Sequence, residues 1–342
     1  MLTELFTETL VQVFRNLDPK DISSVNRTCR GLYEITTSNS YLWQVKFIER
    51  FGLLKLPGHL SWREFYLSYR VVWSFGTNEL GRLGQGATPC VKYDYNKTKV
   101  DGRFVSAALS NYSTAFLEPN GSVWVSGLYS KTNVPVPLGI QAKQVDFDNQ
   151  GKLLYIDQQD NLWSDGVKIQ ERVNSFSFHG KEGLLSIDLD GSLYRFDQTR
   201  PNKIETGRRF RRVVREILQD TSGRLWNSDG PILLDGQHLP VRDFDVSNPR
   251  VTVIDEKGSL WISDLPPAVF LIKMPGRQYK ACSTDSYNSL LIDAEDQVWS
   301  WGLRPEDHPF GNIMKGVELI PGIRASFVRT RYDYSVIIGQ TC

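Results

Sequence analysis

This 342-residue chain has little of what a catalytic, secreted or membrane protein needs. It has four cysteines (Cys29, Cys90, Cys282 and Cys342), far apart and with no paired spacing, which excludes a disulfide framework and a Cys-based zinc site. Four histidines (His59, His179, His238 and His308) are scattered, and no Gly-x-Ser-x-Gly elbow, His-Glu-x-x-His motif or Cys–His pair accompanies them. No catalytic residue, metal ligand or cofactor is therefore expected. No apolar run is longer than a strand, so no transmembrane helix is expected, and the start MLTELFTETL lacks the basic and apolar regions of a signal peptide. The expected setting is a reducing intracellular one, cytoplasmic, nuclear or both. A net charge of +1 shows no excess that would draw the chain to nucleic acid or to a membrane surface, and neither is expected as a partner.

What is present divides into two unlike parts. Within residues 1–48, Leu10, Val13, Phe14 and Leu17 fall on one helical face. Asp18-Pro19-Lys20-Asp21 then reads as a new helix start, with Pro19 at the first helical position and Asp21 near free backbone N–H groups. Ile22, Val25, Cys29 and Leu32 continue an apolar stripe, Thr36–Ser40 reads as a polar break, and a third helix is expected over Tyr41–Phe51. Three helices of this size bury little surface alone, and their apolar residues outnumber one small core's needs. The pattern by itself fits either a cap on the following domain or a face that docks on another protein.

From residue 71 onward the chain repeats. Asn120-Gly121-Ser122-Val123-Trp124 recurs at 159–163, 190–194, 222–226, 257–261 and 295–299, each copy after an apolar run. An apolar strand, an Asx or Gly turn and an aromatic strand make a hairpin. Val71–Gly76 is an aromatic strand with no partner before it, and Tyr334–Gly339 is a first strand with no turn after it. Pairing them completes a seventh unit and hides two sheet edges. The fold expected is a small α-helical module and an all-β seven-bladed propeller over 71–342. The turn glycines lack a Walker-type Lys, and the repeated Trp residues are expected to pack between blades.

Arg208-Arg209-Phe210-Arg211-Arg212 is the one concentration of charge. It is either a solvated strand or a contact for an acidic or phosphorylated target, since Arg forks suit phosphate oxygens.

The run Leu5, Phe6, Leu10, Phe14, Leu17, Pro19, Asp21, Ile22, Val25, Leu42 and Trp43 resembles an F-box in residue type and spacing, with Phe6 where that family usually has Pro. Leu60–Leu67 resembles the linker helix that trails many F-boxes, which implies a linker helix at 49–70. Trp73-Ser74-Phe75-Gly76-Thr77-Asn78-Glu79-Leu80-Gly81-Arg82-Leu83-Gly84 is similar to the signature turn of the regulator of chromosome condensation family, and Trp299-Ser300-Trp301-Gly302 with Phe310-Gly311 is a weaker copy. The first resemblance implies that these residues dock on a Skp-type adaptor and, through it, on the cullin and RING protein of an SCF ubiquitin ligase. The propeller would then hold a target protein, with Arg208, Arg209, Arg211 and Arg212 as candidate contacts. The second resemblance implies an alternative, nucleotide exchange on a small GTPase, and a third reading is a scaffold that binds the adaptor without delivering a target.

Overall fold

The computed structural model describes the backbone of residues 2–17, 19–27, 30–51, 63, 71–76, 79–84, 104–179, 183–197, 200–247, 250–263, 272–274, 276–285, 288–302, 318–331 and 334–341. Side chains are described for the same residues except 2–8, 19, 20, 23, 26, 47–51, 79, 179, 272, 288, 302, 318, 340 and 341. The chain forms two compact units, Met1–Tyr69 and Arg70–Cys342.

The first unit is helical: α1 (Leu2–Arg15), α2 (Pro19–Asn26), α3 (Arg30–Ser38) and α4 (Ser40–Phe51). Where one second helix was expected, α2 ends at Asn26 and α3 begins at Arg30, and the polar stretch read as a break lies within α3 as far as Ser38. Thr37 Oγ1 donates to Tyr33 O at 2.7 Å and Ser38 Oγ to Glu34 O at 2.6 Å, back-bonds that let a hydroxyl-rich last turn stay helical. Asn39 then caps α4, its Oδ1 accepting the Leu42 N–H at 2.9 Å. The expected linker helix lies outside the described residues, apart from Arg63, whose guanidinium sits 5.9 Å from the Trp43 ring centre.

The second unit is all antiparallel β, in five hydrogen-bonded sheets. Three have four strands each. The other two each contain two blades joined by one long strand: Thr132–Phe147 pairs with Ser122–Gly127 as far as Gln141 and with Leu153–Asp157 from Ala142, and Glu318–Arg331 is shared in the same way. Three blades plus two pairs make seven. Blade 1 takes strands from both ends of the unit, with Val71–Gly76 antiparallel to Tyr334–Thr341 and Trp73 opposite Ile337. Blades 2 to 7 follow in chain order, beginning at Ser106, Ala142, Val173, Phe210, Val241 and Tyr279. The first strand of each blade is innermost, and each lies against the next, the 325–331 segment against Ser106–Leu109 included.

One carboxylate organises each repeat. Asp255 Oδ1 accepts the N–H groups of Lys257 and Ser259, and its Oδ2 accepts Trp261 Nε1–H at 3.0 Å. The same three bonds recur at Asp157 with Trp163, at Asp220 with Trp226 and at Asp293 with Trp299, and Asp188 holds the Tyr194 hydroxyl in their place. This clamp shapes the turn between the second and third strands, and the turn then ties the next blade. Gly223 O accepts Val241 N–H at 2.9 Å, as Asp160 O does for Val173, Gly191 O for Phe210, Gly258 O for Tyr279 and Asp296 O for Ala325.

Two blades lack the clamp, and both show its loss. Glu118 holds the position in blade 2, and Gly339 holds it in blade 1, where a Cβ would lie 1.9 Å from Arg324 O. The indole nitrogens of Trp124 and Trp73 in those blades are the ones left buried without a hydrogen bond among the described Trp residues.

Between blades the interior is apolar. Ile217, Leu225, Phe244 and Val253 form one interface cluster, and Val72, Phe104, Phe116 and Val336 join blade 1 to blade 2.

The clamp yields two expectations. Asp255→Ala lowers unfolding free energy by about 2–4 kcal/mol, because three donors lose one buried acceptor, whereas Glu118→Asp raises it by about 1 kcal/mol. Urea titration followed by Trp fluorescence measures both, and equal effects of the two changes would contradict the account. In addition, burial works against the charges of Asp157, Asp220 and Asp255, but their turn and Trp hydrogen bonds outweigh it and hold all three carboxyls below the usual value. A depressed folded pKa contributes stability above the unfolded pKa that is lost as pH falls through the folded one. Thermal midpoints are therefore expected to hold down to about pH 4 and to fall below it, less steeply in Asp255→Asn.

Candidate docking surfaces

In the helical unit, the structure separates two roles that the sequence pattern merged. Phe14, Ile22, Leu42 and Trp43 are 1–2% exposed. Trp43 Nε1 donates to Thr36 O at 2.6 Å, and buried Lys46 closes the end of α1 through Arg15 O at 3.0 Å and Leu17 O at 2.5 Å. These four apolar residues hold the helices together, and their part in docking rests on the resemblance alone. Leu10, Leu17 and Val25 are half-buried, and Asp21 is exposed in the first turn of α2. The side chains of Leu5, Phe6 and Pro19 lie outside the described residues. The large apolar groups that do face out are Val13 at 51%, Tyr33 at 51% and Tyr41 at 60%. Val13 and Tyr41 border positions already singled out, and an apolar residue one step off a buried stripe was the available signal.

The propeller offers a channel and two faces. Inner strands have one edge toward the axis, and side chains from the preceding blade cover it. Ser175 and Ser177 accept the Val213 and Arg215 N–H groups, Asp243 and Asp245 accept those of Cys282 and Thr284, and Ser283 accepts that of Thr330. Gln144, Arg212 and Arg331 donate to carbonyls of Phe176, Phe244 and Leu109 in the same direction around the ring. Arg329 lies 3.8 Å from Asp146 and 3.9 Å from Asp245, on blades 3 and 6. Burial disfavours its charge, but Asp245, Asp146 and Asp243 outweigh that and hold its pKa above the ordinary value. The channel is thus cross-linked by charge. Cys282, beside it, has its thiol pKa pushed well up by burial and by Asp243 and Asp245, which disfavours the thiolate.

The four arginines of the basic run part company. Arg212 turns toward the channel, with Nη1 2.5 Å from Asp243 Oδ1. A β-bulge between Phe210 and Arg212 is the cause, since it places Arg211 outward and shifts the alternation. Arg208 lies flat on Trp226, 3.6 Å from the ring centre. Arg209 and Arg211 are exposed at the face that carries the clamped turns.

The opposite face has a cleft of about 310 Å³ between blades 2 and 3, lined in part by Tyr112, Leu128, Tyr129 and Lys152. Burial and a 2.9 Å bond to Asp165 raise the Tyr129 phenol to about 12, so it serves there as a neutral donor. His238 is engaged with Leu225 O at 3.0 Å, and among the described residues no His, Cys, Asp and Glu side chains cluster to hold a metal. No helix of the described residues is long and apolar enough to cross a membrane.

Residues 7–49 match the family model of F-box-like domains. A search of curated proteins found no match to the chain. Among solved structures, the fold is similar to that of Prp20p from Saccharomyces cerevisiae, described with its binding properties to Gsp1p and histones, at 12% identity and a TM-score of 0.63 over 80% of this chain and 92% of that one. It is also similar to human WBSCR16, at 13% identity and a TM-score of 0.62, over 80% of this chain and 99% of that one. Yeast RCC1 (Prp20) bound to Kap60 aligns at 12% identity with a TM-score of 0.61, over 80% of this chain and 89% of that one. At these identities the likeness shows a fold shared with RCC1-like propellers.

The channel network is testable by itself. Asp245→Ala strips acceptors from Thr284 N–H and the Ser283 hydroxyl and removes one of the two carboxylates paired with Arg329. It is expected to cost about 3 kcal/mol in urea unfolding, and a loss under about 1 kcal/mol would show the staples to be dispensable.

Proposed function

We propose that the chain is the target-recognition subunit of an SCF-type cullin–RING ubiquitin ligase, intracellular and non-catalytic. The observation that carries this reading is that the F-box-like match, residues 7–49, coincides with a helical unit compact on its own and bearing large apolar side chains on its outside. Val13, Tyr33 and Tyr41, with the rims of Leu10, Leu17 and Val25 and the charge of Asp21, form the described part of the surface offered to a Skp-type adaptor. Leu5, Phe6 and Pro19 belong to it by resemblance. Exposed aromatic residues at the centre of such a patch are the usual source of binding energy.

The β unit supplies the other end. Its turns are clamped and its channel is cross-linked, so it presents loops on a stiff frame, which lowers the ordering cost of binding a target protein. The contribution to ubiquitin transfer is positional. Holding the target on the assembly that carries the charged conjugating enzyme raises their effective concentration, and the transferring cysteine belongs to that enzyme. A guanine-nucleotide exchange factor is the alternative drawn from the fold, and at 12–13% identity the fold is its whole support. An adaptor-binding scaffold differs from the leading reading only in delivering no target.

Co-expression with a Skp-type adaptor is the test. The full chain is expected to co-purify with it, and Val13→Asp with Tyr41→Asp to reduce capture by about a hundredfold at unchanged helix content. A chain that stays soluble and monomeric without capturing adaptor would sink the proposal. Deleting residues 1–48 in cells and comparing protein abundances separates a delivering receptor, which changes a target's level, from a scaffold.

A further inference from the structure

Eight large apolar side chains are exposed in the described part of the β unit. Four of them, Leu80, Tyr112, Leu128 and Val167, lie in or beside turns on blades 1 to 3, at the face opposite the clamped turns. Scattered singly they would be ordinary, but grouped on one face they mark a contact surface. Tyr112 at 44% and Leu128 at 49% also line the cleft of about 310 Å³ between blades 2 and 3.

The backbone segments around that cleft are fastened. Ser110 Oγ accepts the Ser113 N–H at 2.9 Å, the Tyr334 hydroxyl donates to the Ser113 carbonyl at 3.0 Å, and Arg82 Nη1 donates to the Asn111 carbonyl at 2.6 Å. Tyr334 and Arg82 come from blade 1, so the closure of the ring sets this wall. Tyr112 O accepts the Leu128 N–H and Ser113 Oγ the Tyr129 N–H, both at 2.9 Å. On the far side Asp148 Oδ1 accepts the N–H groups of Gln150 and Lys152 at 2.8 Å.

The side chains left over define the occupant. Asn149 and Gln150 are exposed at the rim, and their amides are bonded to nothing among the described residues. Lys152 and Asp165 place one charge of each sign there, and Asp165 already holds the Tyr129 hydroxyl. A rim without net charge favours an uncharged ligand. Side-chain amides pair with peptide N–H and C=O groups whatever the sequence, while Tyr112 and Leu128 bury an apolar side chain. A second copy of the chain is a poorer fit, because a stable dimer buries about 800 Å² per partner and these few side chains offer much less.

We propose that this cleft, through Tyr112 and Leu128 with Asn149 and Gln150, binds an uncharged extended segment of the target by one aromatic or branched aliphatic side chain, without phosphorylation. The proposal rests on the target-receptor reading and names what that receptor recognises. Because the walls are already fastened, little is lost in ordering them on binding.

The full chain, alone and with its adaptor, is passed over immobilised peptide libraries that are degenerate except for a fixed central Phe, Leu, Asp, Lys, Ser or phosphoserine. Adaptor capture is scored separately, so failure of the receptor reading and failure of the cleft are told apart. Retention is expected on the Phe and Leu libraries, about tenfold or more above the others, and equally in about 50 and about 500 mM salt, since apolar burial is not screened. Tyr112→Asp with Leu128→Asp is expected to weaken retention about tenfold or more. Leu189→Asp, at an apolar side chain equally exposed in a clamped turn, is expected to leave it unchanged. Thermal midpoints guard against misfolding, and Leu128→Asn alone serves if the double variant is unstable. Equal retention by all libraries, preference for a charged or phosphorylated one, loss on raising the salt, equal loss in Leu189→Asp, or a dimer of the chain held by the same side chains would each overturn the proposal.

Discussion

The β unit depends on a carboxylate that recurs at the end of the second strand of its blades. It gathers two turn N–H groups and the polar tip of the aromatic residue six positions later, so it fixes the turn and the third strand together. The shaped turn then aims its carbonyl at the first N–H of the following blade. One side chain thereby links folding within a blade to spacing between blades. Because the donors are buried, the charge is more stable in the folded state than in water despite desolvation. The two departures, Glu118 and Gly339, each coincide with an indole N–H left without an acceptor. The second departure falls where the chain's two ends meet. There strand pairing and the Tyr334 hydroxyl on Ser110 O stand in for a turn.

The inner strands pose a second problem, an edge of backbone groups facing the axis. Serine, aspartate and arginine side chains on the preceding blade meet it, always in the same rotational sense. Charges that look like surface features in the sequence, such as Arg212, Asp243 and Arg329, are spent on this frame. What remains for a partner lies on the two faces, and its chemistry is decided by which side chains the frame leaves over.

Much of this was legible in the sequence. The six turn-and-aromatic copies, the pairing of Val71–Gly76 with Tyr334–Gly339 and the helix start at Pro19 each follow from local chemistry that tertiary packing does not override. The clamp aspartates are equally regular, at 157, 188, 220, 255 and 293, each six residues before an aromatic. Two things could not be read. A bulge breaks the strict alternation of a strand without any mark in the sequence, so nothing there separates the outward Arg211 from Arg212, which pairs with Asp243. On short helices a core stripe and a docking stripe have the same spacing, so the pattern marks Phe14, Ile22, Leu42 and Trp43, which are buried, and passes over Val13, Tyr33 and Tyr41, which are exposed.

The two units divide the work. A small helical module with an F-box-like pattern exposes apolar groups, and a stiff β frame presents turns on two faces. That division is the central claim, and hydrogen–deuterium exchange of the full chain with and without a Skp-type adaptor addresses it most directly. Protection gained on adaptor binding is expected within residues 7–49, with the exchange of the blade strands unchanged. Protection spread over the blades, or none in the helices, would contradict the account.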